Sequence, residues 1–139
     1  MKVIDANDLI VGRLATRVAK MALLGEEVSV VNSEKAIITG SKEDIIEKYK
    51  RLFSMGVPRK GPYLHRSPEK LLRRIIRGML PYKQPRGRDA FKRIKCYIGV
   101  PEKLKEHDLE TFQEANISKV PSLKYIDIKT LSNRLGAKI

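Results

Sequence analysis

Residues 2–31 read KVIDANDLIVGRLATRVAKMALLGEEVSVV, and this stretch decides the fold. It opens on Lys2-Val3-Ile4-Asp5, a short strand. From Val11 to Leu24 the apolar residues Val11, Leu14, Ala15, Val18, Met21 and Ala22 recur at helical spacing. Arg13, Arg17 and Lys20 share the opposite side of that helix. Asn7 or Asp8 stands where a cap is wanted, and Gly25 stops the helix. Val28-Ser29-Val30-Val31, rich in β-branched residues, is a second strand. Two strands joined through a helix pair in parallel by a right-handed crossover, which is the signature of an α/β layered fold.

The same rhythm continues outward. Ala36-Ile37-Ile38-Thr39 is a third strand. The link Asn32–Lys35 is too short for a crossover, so either the second and third strands form a hairpin or one strand bends. Ser41, with Asp44 three residues on, opens a helix whose buried stripe is Ile45, Ile46, Tyr49, Leu52 and Phe53. Residues 55–66 read as a loop. Ser67 as N-cap, Pro68 at the first helical position and Glu69 at the positive end of the dipole mark the next helix. Leu71, Leu72, Ile75, Ile76 and Met79 form its buried side, and Lys70, Arg73, Arg74 and Arg77 the other. A loop Leu80–Arg88, a short helix Asp89–Arg93 and a fourth strand Ile94–Ile98 follow. Beyond Gly99 the pattern weakens to a turn at Pro101–Glu106 and a helical stripe of Ile128, Leu131 and Leu135. At 139 residues a single domain, 1–139, is expected, with a C-terminal extension from about residue 100.

Charge divides the chain sharply. Of 29 Lys and Arg against 16 Asp and Glu, fourteen basic and only two acidic residues lie between Arg51 and Lys95. That middle third alone carries +12 of the net +13. Like charges gathered on one surface repel and weaken a fold unless an anion meets them, and phosphate backbone is the commonest such anion. A solubilising surface would mix both signs, and a segment so punctuated by Gly and Pro does not read as a helix lying on a membrane. Nor does any apolar run approach the roughly 20 residues needed to span a bilayer. Met1-Lys2-Val3-Ile4-Asp5 turns polar too soon for a signal peptide, so a cytosolic place is expected.

The basic residues sit on two irregular loops and the helix between them. Arg59, Lys60, Arg66, Arg73, Arg74, Arg77, Lys83, Arg86 and Arg88 are the candidate contacts. Arginine's planar fork takes two phosphate oxygens at once and stacks on an unpaired base. Tyr63 and Tyr82 offer rings for the same purpose, although ordinary packing against the body is the plainer expectation for each. No helix-turn-helix, zinc-finger or basic-zipper pattern is present, and no RNA-recognition-motif pair or KH loop. Shape-following contact with folded RNA is therefore expected.

Signals for chemistry fail one by one. Gly12 lacks the remaining glycines of a dinucleotide loop, and no phosphate-loop motif occurs. His65 and His107 stand far apart with no Cys or acid cluster at metal spacing. Cys96, the single cysteine, lies in an apolar run and reads as buried filler. Asp5 and Asp8 make a poor carboxylate pair, since Asp8 suits a helix cap better. No cofactor and no small-molecule substrate is expected. The rival reading is an RNA-modifying or nucleotide-binding α/β enzyme, which needs convergent polar groups in a pocket at the strand ends.

Arg77-Gly78-Met79-Leu80-Pro81-Tyr82-Lys83, followed by Arg86-Gly87, closely resembles a signature of the L-thirteen family of large-subunit ribosomal proteins. Val3-Ile4-Asp5-Ala6 with Gly12-Arg13-Leu14-Ala15 looks like the family's opening, and Val30-Val31-Asn32 through Ile38-Thr39-Gly40 like its second block. Arg66-Ser67-Pro68 and Ile94-Lys95-Cys96-Tyr97-Ile98-Gly99 match two more, closest to the archaeal and eukaryotic type. Tyr82 stands where the family often has His, and the resemblance ends near residue 100. It implies a three-layer α/β/α domain with a four-stranded, largely parallel sheet. It implies a non-enzymatic component of the large ribosomal subunit, bound to its RNA and to neighbouring ribosomal proteins. By position it puts Arg77, Gly78, Lys83, Arg86 and Gly87 in an RNA-facing signature, and Arg13 in a matching motif.

Overall fold

The computed structural model describes residues 1–139. Strands β1 (Lys2–Asp5) and β2 (Val28–Val31) pair in parallel, with Ile4 opposite Val30, across helix α1 (Val11–Leu23). Strand β3 (Ile37–Thr39) and helix α2 (Lys42–Ser54) come next, then α3 (Pro68–Gly78), α4 (Pro85–Lys92) and β4 (Ile94–Cys96). The chain closes with β5 (Leu109–Glu110), β6 (Tyr125–Asp127) and α5 (Ile128–Arg134). The main sheet is four-stranded and entirely parallel, in the order β4-β2-β1-β5. No helix is long and apolar enough to cross a membrane.

The α/β class and the parallel four-stranded sheet agree with the sequence, but the strands are not all the expected ones. β3 joins neither β2 nor the sheet. A 3-10 turn at Ser33–Lys35, entered through left-handed Asn32 (φ 54°), swings it aside to pair antiparallel with β6. Its place is taken by β5, from the weakly patterned tail. The period of two sorts the sheet's faces. Ile4, Val28, Val30 and Ile94 enter the main core with Leu14, Val18 and Ala22 of α1, Leu71, Leu72 and Ile76 of α3 and Ala90 of α4. On the other face Val3 and Val31 meet Leu104, Tyr97 and Val100, so that layer is a 3-10 turn at Glu102–Leu104 and its flanks.

Several local expectations are corrected. Asp8 does not cap α1: it sits in the left-handed region (φ 56°), and the N-cap position is Ile10, without a side-chain bond. The reason is tertiary, because the backbone of Asp8–Ile10 is used to hold other segments. The Asp8 carbonyl accepts from Ile117, the Ile10 N–H donates to Ala115, and the Leu9 carbonyl accepts from Ile37. Ser41 and Ser67 do occupy N-cap positions, but neither side chain makes a capping bond. The stripe on α2 is only half-buried, and Leu52 is exposed, as is Met79, which falls just past the end of α3. The segment beyond residue 100 is no appendage: Ile126, Ile128, Leu131 and Leu135 all belong to the main core.

Candidate nucleic-acid interface

Helix α3 builds the site by dividing its two sides between core and charge. Leu71, Leu72 and Ile76 are buried, which fixes the helix against α1 and β4. Lys70, Arg73, Arg74 and Arg77 follow the spacing i, i+3, i+4, i+7 and so share the outward face. Together with Tyr63, His65 and Phe91 these four cations line a cavity of about 320 Å³. No carboxylate is among its walls.

Arginine stacking organises this surface. The Arg73 guanidinium lies 4.4 Å from the centre of the Phe91 ring, and that of Arg77 lies 4.9 Å from Tyr82. Arg66 stands 5.6 Å from Phe53, and its carbonyl accepts from the Ser132 hydroxyl, so the end of the loop is tied to both α2 and α5. Arg88 donates to the Lys83 carbonyl at 2.9 Å, which braces the turn between α3 and α4. Arg59 and Lys60 ride the tip of the loop, where Val57 and Gly61 exchange backbone bonds and the Tyr63 hydroxyl donates to the Arg59 carbonyl at 2.6 Å. Tyr63 and Tyr82 are both exposed rather than packed inward.

Helix α4 begins four residues before the expected start. Pro85 takes the first helical position, and Gln84 before it is extended, as a residue preceding proline prefers. Arg86 and Arg88 therefore lie in its first turn rather than on a loop. Gly87 is buried hard against the preceding turn: a Cβ there would collide with the Pro81 carbonyl and approach the Tyr82 nitrogen to 2.8 Å. Arg13 lies apart, on α1. Its guanidinium donates to the Glu114 carbonyl at 3.1 Å while Arg17 pairs with the Glu114 carboxylate. Thr16 nevertheless lies 3.3 Å from the Met79 sulfur, so this face of α1 adjoins the end of α3. Sequence reasoning gave Lys70 and His65 little weight and passed over Phe91. Nothing in the sequence marked Phe91: it stacks on Arg73, eighteen residues earlier, through a tertiary approach of α4 to α3.

The ion pairs of the molecule use other cations: Lys2 with Glu26, Arg17 with Glu114 and, on α4 itself, Lys92 with Asp89. None of the ten candidate cations has an acidic partner. Arg73 and Arg77 are half-buried under their stacking, and the other eight are exposed. Burial pushes the Cys96 thiol up to about 12, with nearby Arg73 opposing and Glu69 adding, so it is not poised as a nucleophile. Burial likewise raises Tyr49, against the pull of Arg74.

The strand ends, where an α/β enzyme keeps its ligand, are filled by protein. Asn32 donates to the Asp5 carboxylate at 2.8 Å, and Glu34 accepts from the Gly99 N–H at 3.1 Å. The Ser33 and Asn32 N–H groups donate to the carbonyls of Tyr97 and Gly99. Asp5 is thus occupied with structure and unavailable as half of a catalytic pair.

A family model described as Ribosomal protein L13 matches residues 1–103. The chain is 48% identical over 138 residues to the large ribosomal subunit protein uL13 of Methanococcoides burtonii, covering 99% of each. It is 47% identical over 139 residues to that of Methanosarcina barkeri and 49% over 143 residues to that of Methanococcus maripaludis, again with 99% of each chain covered. These relatives extend the likeness through the tail, well past residue 100.

Proposed function

This chain belongs to the ribosomal protein L13 family, and we propose on that premise that residues 51–95 grip the folded RNA of the large ribosomal subunit. As a member of the family it is a ribosomal protein with a structural role and not an enzyme. Its partners in this reading are large-subunit RNA and the ribosomal proteins beside it. Arg59, Lys60, Arg66, Arg73, Arg74, Arg77, Lys83, Arg86 and Arg88 supply the grip, with Arg13 on its flank. One observation carries the reading: +12 is gathered in a single segment whose candidate cations have no internal counter-charge. Two arginines in the first turn of α4 add to it, because a helix dipole disfavours cations there and a bound anion reverses that penalty. Stacking on Phe91 and Tyr82 holds two guanidinium groups in place before any RNA arrives.

The test is the salt dependence of binding to large-subunit RNA. Six to ten phosphate contacts predict a fall in affinity of about 10³- to 10⁵-fold between 50 and 200 mM salt. A shallow dependence sinks the reading.

A further inference from the structure

We propose that the cavity between α3, α4 and the loop 56–66 receives one nucleotide swung out of the RNA stack. Its base lies on Tyr63, and its phosphate sits among Lys70, Arg74 and Arg77. This inference rests on the RNA-binding reading above and specifies what one part of that surface takes.

Size argues first. At about 320 Å³ the cavity falls at the lower end of the roughly 300–1,000 Å³ typical of small-molecule sites. A duplex is far too wide to enter, while a single nucleotide is of the right order.

The wall chemistry argues second. Lys70, Arg73, Arg74, Arg77 and His65 stand beside two rings, with no carboxylate to repel a phosphate. Cations alone would serve a phosphate backbone. The rings are the unexplained part, and flat aromatic faces are what an unstacked base seeks.

The two rings are not equivalent. Phe91 is already covered by the Arg73 guanidinium at 4.4 Å. Tyr63 is free: it is 70% exposed, and its own hydroxyl pins it to the Arg59 carbonyl at 2.6 Å. An exposed ring held in this way offers a flat surface with little left to order on binding. Gly56 maintains the arrangement, since its φ of +83° and its approach to the Gly61 carbonyl exclude any Cβ where the loop closes.

The experiment measures affinity of the full-length protein for a full-length large-subunit RNA transcript across a salt series. Stacking on an aromatic side chain predicts that Tyr63→Ala lowers affinity roughly 5- to 150-fold at every salt concentration, with the salt slope unchanged. Tyr63→Phe, which keeps the ring but frees it from the Arg59 carbonyl, loses clearly less than Tyr63→Ala. Arg74→Ala makes the slope shallower by about one unit, as loss of a phosphate contact should. If Tyr63→Ala binds like the parent, or Tyr63→Phe loses as much as Tyr63→Ala, the nucleotide site is wrong although a steep parental slope still upholds RNA binding. A shallow parental slope overturns the broader reading first. Ultraviolet cross-linking of the same complex, followed by nuclease digestion and mass spectrometry, predicts a one-nucleotide adduct on the peptide carrying Tyr63. Adducts confined to the peptide carrying Tyr82 overturn the assignment.

Discussion

Neighbouring arginines on one helix face stand in different surroundings. Arg74 is exposed and touches no ring, whereas Arg73 is half-buried over Phe91. Arg74→Glu is expected to weaken RNA binding with no loss in the urea midpoint, since it relieves rather than adds repulsion among the unpaired cations. Arg73→Glu is expected to lose binding and also about 0.5–1 kcal/mol of stability, the worth of a cation–π contact at a surface site. Cys96 contributes to the loss of stability at alkaline pH. Its thiol is pushed up to about 12 in the fold, so the unfolded chain releases this proton at lower pH than the folded one. The contribution is intact below about pH 9, the ordinary thiol value, and is lost as pH rises through that window toward 12. Replacing the thiol by Cys96→Ala should therefore flatten the alkaline limb, relieving about 1 kcal/mol at pH 10 in urea titrations run from pH 7 to 10. Gly87→Ala forces a side chain into the Pro81 carbonyl. The turn before α4 must then open, with an expected loss of about 1–3 kcal/mol by thermal unfolding and weaker RNA binding in the same sample.

Among elements, the opening β1-α1-β2 unit and α3 were legible because each follows a single local rule. The apolar positions of α1 recur without interruption, and Pro68 marks the start of α3. What stayed hidden depends on contacts far along the chain. β3 looks like a sheet strand, but its partner β6 lies almost ninety residues on, with Ile38 opposite Ile126. β5 is two residues long, too short for any period to register. The start of α4 was missed because Pro and Gly at 85 and 87 read as loop punctuation. Pro85 instead opens the helix, and Gly87 packs where no side chain fits. The cationic site was legible as a charge imbalance; its rings were not, because stacking is a matter of tertiary approach. α5 supplies a direct check on the role of the tail. Leu131 is fully buried in the core shared with α3, so Leu131→Ala is expected to cost about 2–5 kcal/mol in urea unfolding. A mere appendage would lose far less.

The whole molecule carries +13, and most of its positive groups lack a partner. Salt should therefore act on it with opposite signs. Raising salt screens self-repulsion and is expected to lift the melting temperature of the free protein by a few degrees, about 1 kcal/mol. The same change should loosen its complex with RNA. Calorimetry of the free chain beside binding measurements in matched buffers checks the pair of responses. The order β4-β2-β1-β5, with α5 wedged into the core, also has a consequence for biosynthesis. β1 is the earliest strand made, yet one of its edges stays open until Leu109 and Glu110 have been translated, and the core lacks Leu131 until later still. At about 5–20 residues per second, every arginine of the cationic segment emerges seconds before the scaffold that positions it can close. A nascent polycation released beside the RNA-rich machine that makes it is a candidate for chaperone escort.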